Sequence, residues 1–291
     1  MRQVIDIFCV LRYNIRIEIK GRRNPEMSQK TALVTGGTSG IGKATAEALV
    51  KAGYTVYSLS RHASDDADGI RHLTADVTLP DTVRAAVSEV LGREGRIDLL
   101  VNCAGFGISG AVEFTDPEEA KRQFDTNFFG TVNVTGAVIP LMRAAGGGRI
   151  VNVSSVAAEV PIPFQTFYSA SKAAINSYTM ALANELRPFS VSVCAVEPGD
   201  IRTGFTAARH KQVLGDDIYG GRIGRSVARM EKDEQGGMDP SVIGRFIARI
   251  ARKSRVKPLY TVGFGYKLAV LVMRLLPSRW SNRIIGRLYA K

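Results

Sequence analysis

The sequence predicts an α/β fold in which a doubly wound parallel sheet of seven strands carries helices on both faces. Short apolar runs alternate with longer helical stretches along most of the chain, an order typical of parallel sheets. A glycine-rich turn joins the first apolar run to the first helical stretch. The chain has 291 residues, of which 45% are hydrophobic, so a single domain can bury a large core.

The strands and helices are predicted from length and hydrophobic period. The short apolar runs are predicted strands at 31–35, 55–60, 70–75, 98–102, 148–153, 190–196 and 258–262. The stretches between them are predicted helices at 41–52, 80–94, 116–145, 166–187 and 239–253, and we expect the helix at 116–145 to be broken. The crossovers should be right-handed.

Three parts of the chain fall outside this regular pattern. Residues 1–26 are predicted to be an N-terminal extension, disordered or the product of a misassigned start, because Met27 is a natural beginning for the domain at 27–263. Residues 201–238 have no long apolar period, so we predict a mobile loop with short helices that covers a substrate; a plain surface excursion is the alternative. Residues 264–291 are predicted to be a basic, apolar helical tail.

The net charge of +12 is concentrated at the two ends of the chain. The first 30 residues carry seven Lys or Arg against three Asp or Glu, and residues 252–291 carry ten against none. The middle of the chain is therefore not basic, which argues against a nucleic-acid partner. We find no secretory signal and no apolar run of 18 residues, and we expect a cytoplasmic protein, with a peripheral membrane position as an open alternative.

Cysteine and histidine usage indicates neither a disulfide framework nor a metal site. Cys9, Cys103 and Cys194 are an odd number, and the last two lie in apolar runs, as expected for small buried side chains in a reducing compartment. The three histidines are scattered at positions 62, 72 and 210, and we predict no metal.

The glycine-rich turn has the features of a phosphate-binding loop. It follows the apolar run Thr31–Val34, reads G-x-x-x-G-x-G from Gly36 to Gly42, and leads into a helix. Glycines let the backbone approach a pyrophosphate, and the free N–H groups at a helix start favour anions. A tight turn without a ligand is the alternative.

Tyr168 and Lys172 are four residues apart in a predicted helix, and therefore lie on one face about one turn apart. A nearby ammonium group favours the phenolate, so we expect Lys172 to lower the pKa of Tyr168. Such a tyrosine can exchange protons with a substrate oxygen near neutral pH. Taken alone, this spacing is common on solvated helix faces.

Together, five sequence features resemble the short-chain dehydrogenase/reductase family over roughly residues 30–262. Thr35 to Gly42 reads T-G-x-x-x-G-I-G, Asn102 to Gly105 reads N-x-A-G, and Pro198 to Thr203 reads P-G-x-x-x-T. Ser155 precedes Tyr168 by thirteen residues, and Asn127 lies between these motifs. Cys103 stands where many family members have a second asparagine. The resemblance implies a Rossmann fold and an oxidoreductase acting on CH–OH groups with a nicotinamide cofactor.

The resemblance implies a catalytic set of Asn127, Ser155, Tyr168 and Lys172. Ser155 would hydrogen-bond the substrate oxygen, and Tyr168 would be the acid and base. Lys172 would hold the nicotinamide ribose and lower the tyrosine pKa. Asn127 would interrupt a helix and hold a water beside the lysine.

The implied cofactor-binding residues form a wider set: Gly36, Thr38, Ser39, Gly40, Ile41, Gly42, Arg61, Asp76, Val77, Asn102, Ala104, Gly105, Tyr168, Lys172, Pro198, Gly199, Ile201 and Thr203. Within it, Arg61 bears on cofactor choice. The second predicted strand ends in Ser60-Arg61, where NAD enzymes usually have an acidic residue for the ribose. An arginine there suits a 2′-phosphate, so NADP(H) is favoured, with NAD(H) the alternative.

The expected reaction interconverts a secondary alcohol and a ketone on a lipophilic substrate. The segments 184–199 and 260–263 are similar to the 17β-hydroxysteroid and retinol dehydrogenase-like branch of the family, which suggests a steroid-, retinoid- or acyl-like substrate. A 3-oxoacyl thioester reductase is the alternative, and a non-catalytic NADP-binding regulatory protein is an alternative of another class. The family resemblance also implies a homodimer or homotetramer formed through the helices near 116–145 and 166–187.

The tail has three open interpretations. Residues 266–276 are apolar on nearly all sides of a predicted helix, and Pro277 separates them from a second, basic amphipathic stretch. The tail could pack on the core, lie on an anionic membrane surface, or roof an apolar substrate pocket.

Overall fold

A computed structural model describes residues 29–62 and 65–290 of the chain. Seven of the described strands form one parallel sheet, ordered β3-β2-β1-β4-β6-β7-β9. They are β1 (Thr31–Thr35), β2 (Thr55–Ser60), β3 (Ile70–Thr74), β4 (Leu99–Asn102), β6 (Gly148–Val153), β7 (Val191–Pro198) and β9 (Leu259–Val262). The predicted fold class and strands are confirmed, with bounds that differ by two residues at most. The expectation for residues 1–26 lies outside the described residues.

The sheet carries a hydrophobic core on each face. One face packs against α2 (Pro80–Glu94), α4 (Gly130–Ala144) and α5 (Thr166–Glu185), and the other against α1 (Gly40–Lys51) and α8 (Pro240–Ala251). The strand order reverses between β1 and β4. In open α/β sheets, the crevice at the carboxyl ends of the strands at such a reversal is where ligands bind.

The helix predicted at 116–145 is broken, as expected. α3 (Pro117–Phe124) passes through one π-helical turn, Asp125–Phe129, into α4. Single π turns inside helices often occur at functional sites. Asn127 lies in this turn and is buried.

The region 201–238 is more ordered than its sequence predicts, and our expectation of short helices alone was wrong. It contains the short helix α6 (Phe205–Ala208), but also the fourteen-residue helix α7 (Arg222–Gln235). Ile223, Val227 and Met230 form its buried stripe at helical spacing. We missed this period because glycines interrupt the segment before and inside the helix. A two-residue bridge between β5 (Ile108–Ser109) and β8 (His210–Lys211) was also missed.

The tail forms two helices that pack on the domain, α9 (Phe264–Leu275) and α10 (Ser278–Tyr289). Val270 of α9 and Ile285 of α10 are each 4% exposed, so each helix buries one face. No helix in the described part of the chain is both long and apolar enough to cross a bilayer.

Candidate active site

Thr35 joins the two loops that form the floor of the crevice. Its buried Oγ1, at the end of β1, accepts hydrogen bonds from the N–H groups of Cys103 and Ala104, both at 3.0 Å. The N–H of Gly36 donates to the carbonyl of Leu59 at 2.8 Å. The glycine-rich turn is therefore fixed between the ends of β2 and β4.

The turn is too tightly packed for side chains at two of its glycines. A Cβ on Gly42 would lie 2.1 Å from the carbonyl oxygen of Gly36, and a Cβ on Gly36 would lie 3.1 Å from Cα of Ala104. Gly36 also has a φ of +66°, which favours glycine. Helix α1 begins directly after the exposed Thr38 and Ser39, and its first N–H groups have no partner within the helix. This cradle of bare backbone fits the pyrophosphate of a dinucleotide.

Thr203 closes one side of this cradle. Its Cβ lies 3.4 Å from the position that a Cβ on Gly40 would take. The segment from β7 to Thr203 is held in place because Ile201 forms a bridge with Met238 and the N–H of Arg202 donates to the carbonyl of Met238 at 3.0 Å. The motifs around Gly40 and Thr203 therefore meet, as the sequence predicts.

Two predicted cofactor residues have side chains that face into the fold. Asn102 is 4% exposed, and its Nδ2 donates to Oγ1 of Thr135 and Oδ1 of Asn152. Val77 is buried in the core against the start of α4. Apolar packing and a buried amide network thus use the side chains of Val77 and Asn102 inside the domain, which leaves their backbone groups for any cofactor contact, and their role in cofactor binding stays a prediction. Asp76 lies at the sheet edge, where Oδ1 accepts from the N–H and the hydroxyl of Thr78.

Arg61 lies directly after β2, beside the glycine-rich turn, and is exposed. The register pairs Thr35 with Leu59, so Ser60 and Arg61 extend past the end of β1 at the level of Gly36. Arg61 therefore lies beside the cradle, and its contact with the adenosine ribose stays a prediction.

Ser155, Tyr168 and Lys172 meet at the carboxyl end of β6. Tyr168 and Lys172 lie one turn apart on α5, with the lysine Nζ 5.7 Å from the centroid of the phenol ring. Ser155 follows β6, and its hydroxyl lies close enough to the phenol of Tyr168 to lower the pKa of that phenol. The Lys172 ammonium donates to the carbonyl of Val153 at 2.8 Å. Three members of the predicted catalytic set, Ser155, Tyr168 and Lys172, thus lie together at the phenol.

The pKa shifts of this group correct one expectation. Burial raises the pKa of Tyr168 to about 12, although the hydrogen bond with Ser155 opposes the rise. Burial also lowers the pKa of Lys172 to about 8. We expected the lysine charge to lower the tyrosine pKa; in the protein alone that pKa is raised instead, because burial of the phenol is the largest influence on it. Tyr168 is a neutral phenol at neutral pH.

The side chain of Asn127 is fully used in orienting the loop after β4. Its Oδ1 accepts from the N–H of Phe106 at 3.0 Å, and its Nδ2 donates to the carbonyl of Phe106 and to Oγ of Ser171, each at 3.1 Å. A Cβ on Gly105 would lie 3.0 Å from Oδ1 of Asn127 and 3.8 Å from Nζ of Lys172. Asn127 is therefore a neighbour of the lysine, its side-chain amide binds protein groups, and its expected role in holding a water stays a prediction.

The tail contributes a residue to the site that sequence reasoning missed. The ring of Tyr266, on α9, lies over Gly199, where a Cβ would come within 2.3 Å of the ring. The Tyr266 phenol donates to Oδ2 of Asp200 at 2.7 Å and accepts from the Asp200 N–H at 3.1 Å. Gly199 and Asp200 are thus covered by the tail.

Phe205 and a buried ion pair form the other wall, and these residues were also missed. The Phe205 ring packs on the Tyr168 ring with centroids 5.6 Å apart. The fully buried Arg209 pairs with Glu234 of α7, and its guanidinium lies over the Phe205 ring, 5.6 Å from the ring centroid. No pattern in the sequence distinguishes these residues from ordinary loop residues.

The structure describes two cysteines, of which Cys103 is partly buried and Cys194 is buried. Burial raises the pKa of the Cys103 and Cys194 thiols to about 12, so both are neutral thiols at physiological pH. The described residues contain no group of three or more histidine, cysteine and acidic side chains that could hold a metal ion.

Comparison with known proteins agrees with this arrangement. The family model described as short chain dehydrogenase matches residues 30–214. A 3-ketodihydrosphingosine reductase of Bacteroides thetaiotaomicron is 44% identical over 247 residues, which cover 82% of this chain and 92% of that protein. The dehydrogenase/reductase SDR family member 7B of Danio rerio is 28% identical, covering 91% of this chain and 88% of the relative.

Solved structures show the same fold. A short-chain dehydrogenase from Streptomyces avermitilis is 31% identical and superimposes with a TM-score of 0.77, covering 90% of this chain and 99% of the other. A 3-ketoacyl-(acyl-carrier-protein) reductase from Brucella melitensis, solved with NADH, is 27% identical with a TM-score of 0.69, covering 82% and 98%. With a phosphate cradle, a Ser–Tyr–Lys group and these relatives, the chain belongs to the short-chain dehydrogenase/reductase family of oxidoreductases.

Proposed function

We propose that this protein is an NADPH-dependent reductase of a long-chain lipophilic ketone. The observation that carries the proposal is the grouping of Ser155, Tyr168 and Lys172 beside the dinucleotide cradle. The bound nicotinamide supplies the hydride. The residues of the chain hold the ketone oxygen and provide its proton.

Tyr168 is the proton donor. Because burial raises the pKa of its phenol to about 12, the group carries its proton at neutral pH and can give it to the oxygen of a reduced ketone. The hydroxyl of Ser155, which lies beside the same phenol, orients that oxygen. Reduction uses the protonated phenol as the acid, and oxidation would use the tyrosinate as the base.

Lys172 and Asn127 support the donor. The ammonium of Lys172 is fixed by the carbonyl of Val153 and lies on the tyrosine side of α5, where it can bind ribose hydroxyl groups. Asn127 is a positioning residue, because its amide holds Phe106 next to Gly105 and Lys172.

Arg61 supports NADPH as the cofactor. It stands at the end of β2 beside the glycine-rich turn, where an acidic residue would repel a 2′-phosphate. A guanidinium can bind a phosphate with two hydrogen bonds. NADH is the alternative cofactor.

The surroundings of Tyr168 support a lipophilic substrate. Phe205 packs on the phenol, and an apolar cluster joins α7 to the loop after Ser155 and to Tyr289 of the tail. A long-chain ketone of the 3-ketodihydrosphingosine type fits such walls, and the Bacteroides relative carries that substrate in its name. A 3-oxoacyl thioester reductase is the second candidate, favoured by the likeness to the Brucella reductase.

The test is a substrate panel followed by absorbance at 340 nm. The purified protein is given 3-ketodihydrosphingosine, a ketosteroid or a 3-oxoacyl thioester, each with NADPH and with NADH. We expect the fastest NADPH oxidation with the sphingoid ketone. Faster turnover of the thioester would replace the proposed substrate, and turnover of none of the three, with NADPH still bound, would favour a non-catalytic regulatory protein.

The long helices support a homo-oligomer. Phe129, beside α4, and Met180, on α5, are half exposed, and Phe128 packs on the rings of both Phe129 and Tyr178. This apolar patch joins the two helices through which family members commonly pair. We propose that two copies meet there.

A further inference from the structure

The tail exposes an apolar surface that the fold does not use. We call the outward apolar residues of α9 and α10 the tail surface: Phe264, Leu268, Leu271, Leu275, Trp280 and Leu288, all of which are more than half exposed. On α9 the exposed positions 264, 268, 271 and 275 follow helical spacing and lie opposite the positions 266, 270 and 273. The exposure is therefore a continuous stripe along one side of the helix.

The inner sides of both helices are anchored, so the tail surface has a fixed orientation. Tyr266 hydrogen-bonds Asp200, and Arg274 pairs with Glu159 at 3.0 Å. Ile285 is buried, and Arg222 of α7 donates from Nε to the carbonyl of Ala290 at 2.7 Å. Core packing thus accounts for the inner residues only and leaves the outer stripe unexplained.

A basic stripe borders the apolar one on α10. Arg279, Arg283 and Arg287 are exposed at four-residue intervals. Each is directly followed by an exposed apolar residue on the outward side of α10. Lys267 is exposed on α9. Residues 252–291 contain no acidic residue, so the segment itself cannot neutralise these charges.

We propose that the tail surface docks on an anionic lipid bilayer, with both helices lying in the plane of the interface. An apolar stripe flanked by arginines is the pattern of interfacial helices, whose apolar side enters the acyl boundary while the bases meet anionic head groups. Each helix has twelve residues, which is too short to span the hydrocarbon core.

A second copy of the chain fits the tail surface poorly. A two-fold contact would set the same patch against itself and so bring the arginines of both copies together without an acidic partner. An anionic bilayer supplies the opposite charge. The proposal goes beyond the reaction and does not depend on which ketone is reduced. Because Tyr266 of α9 bonds Asp200 at the edge of the candidate site, a docked tail would place that site directly above the membrane.

Trp280 provides a direct test, because it is the only tryptophan of the chain and belongs to the tail surface. The full chain is mixed with phosphatidylcholine vesicles with and without phosphatidylglycerol, at low salt, and both sedimentation and tryptophan emission are followed. We expect co-sedimentation and a blue shift with the anionic vesicles, both reduced by 0.5 M salt, which screens the charges. Protein that stays in the supernatant with unshifted emission overturns the proposal.

Two triple variants separate the tail from general charge. Arg279→Gln with Arg283→Gln and Arg287→Gln should lower the vesicle partition coefficient at least about tenfold. The matched control, Lys51→Gln with Arg93→Gln and Lys121→Gln, removes three exposed charges from the domain and should change it less than about twofold. Equal losses in both variants overturn the proposal. A blue shift that appears on concentrating the protein without vesicles also overturns it, in favour of self-association. Thermal unfolding checks that each variant is folded.

Discussion

The phenol of Tyr266 donates a 2.7 Å hydrogen bond to the carboxylate of Asp200, which follows β7 at the edge of the candidate site. The two residues are 66 positions apart, and their contact fixes the tail over Gly199. The helix α9 is therefore packed against the edge of the candidate site.

Tyr266→Phe should destabilise the protein by about 1–2 kcal/mol, because it leaves the partly buried carboxylate of Asp200 without its donor. Burial already raises the pKa of Asp200. The measurement is urea unfolding. Tyr219→Phe is the control, since its phenol bonds the exposed Glu113, and it should change stability by less than about 0.5 kcal/mol. Equal losses of stability in the two variants would show that the Tyr266–Asp200 hydrogen bond contributes no more than the exposed one.

Arg61→Ala should raise the KM for NADPH roughly ten- to hundredfold and leave the KM for NADH nearly unchanged, because a charge-assisted contact to phosphate contributes about 1.5–3 kcal/mol. Initial rates with both cofactors measure this. Lys51→Ala, at the far end of α1, is the charge-matched control. A similar change for both cofactors would mean that Arg61 does not meet the 2′-phosphate.

Lys172→Met should stabilise the fold near neutral pH by up to roughly 3 kcal/mol, because burial lowers the lysine pKa from 10.5 to about 8. Below pH 8 the lysine is charged in both the folded and the unfolded chain, so the folded state bears the full free-energy cost of burying that charge. Between pH 8 and 10.5 the folded protein loses the Lys172 proton before the unfolded chain does, so the free-energy cost of burying the lysine decreases.

Urea unfolding of the parent and of Lys172→Met from pH 7 to 10.5 tests whether the difference in their unfolding free energies decreases as pH rises. The stability of the parent should approach that of the variant as pH rises through this window. A difference that is constant with pH would show that Lys172 titrates normally.

Phe129→Glu together with Met180→Glu should convert the oligomer into a monomer, because it places charges in the apolar patch between α4 and α5. Light scattering at micromolar concentration gives the mass. The control is Phe189→Glu, another half-exposed aromatic residue, which should leave the mass unchanged. A monomeric parent would contradict the proposed pairing.

Local patterns predicted the sheet and the main site, because both depend on short-range rules. Strand periods predicted β1 to β4, and the spacing of Tyr168 and Lys172 on one helix predicted their contact. The buried hydrogen bonds of the Asn102 side chain were not predictable, because a motif does not tell which face of a strand the amide occupies. Nor was the raised pKa of Tyr168, since it depends on the burial that Phe205 and α7 create.

The role of the tail could be stated only as alternatives for a similar reason. Its composition is compatible with core packing and with exposure, and only the folded chain assigns Val270 to the inside and Leu271 to the outside. Tyr266 has no motif, so its contact with Asp200 follows from the path of the chain alone.

The turnover of Tyr168→Phe with NADPH and the preferred ketone tests most directly whether this phenol is the proton donor. The change deletes one hydroxyl and keeps the ring that packs on Phe205. We expect kcat to fall about 10²- to 10⁴-fold, while the Kd for NADPH, followed by cofactor fluorescence, stays within about threefold of the parent value. A kcat within about threefold of the parent would contradict the assignment of Tyr168 as the acid.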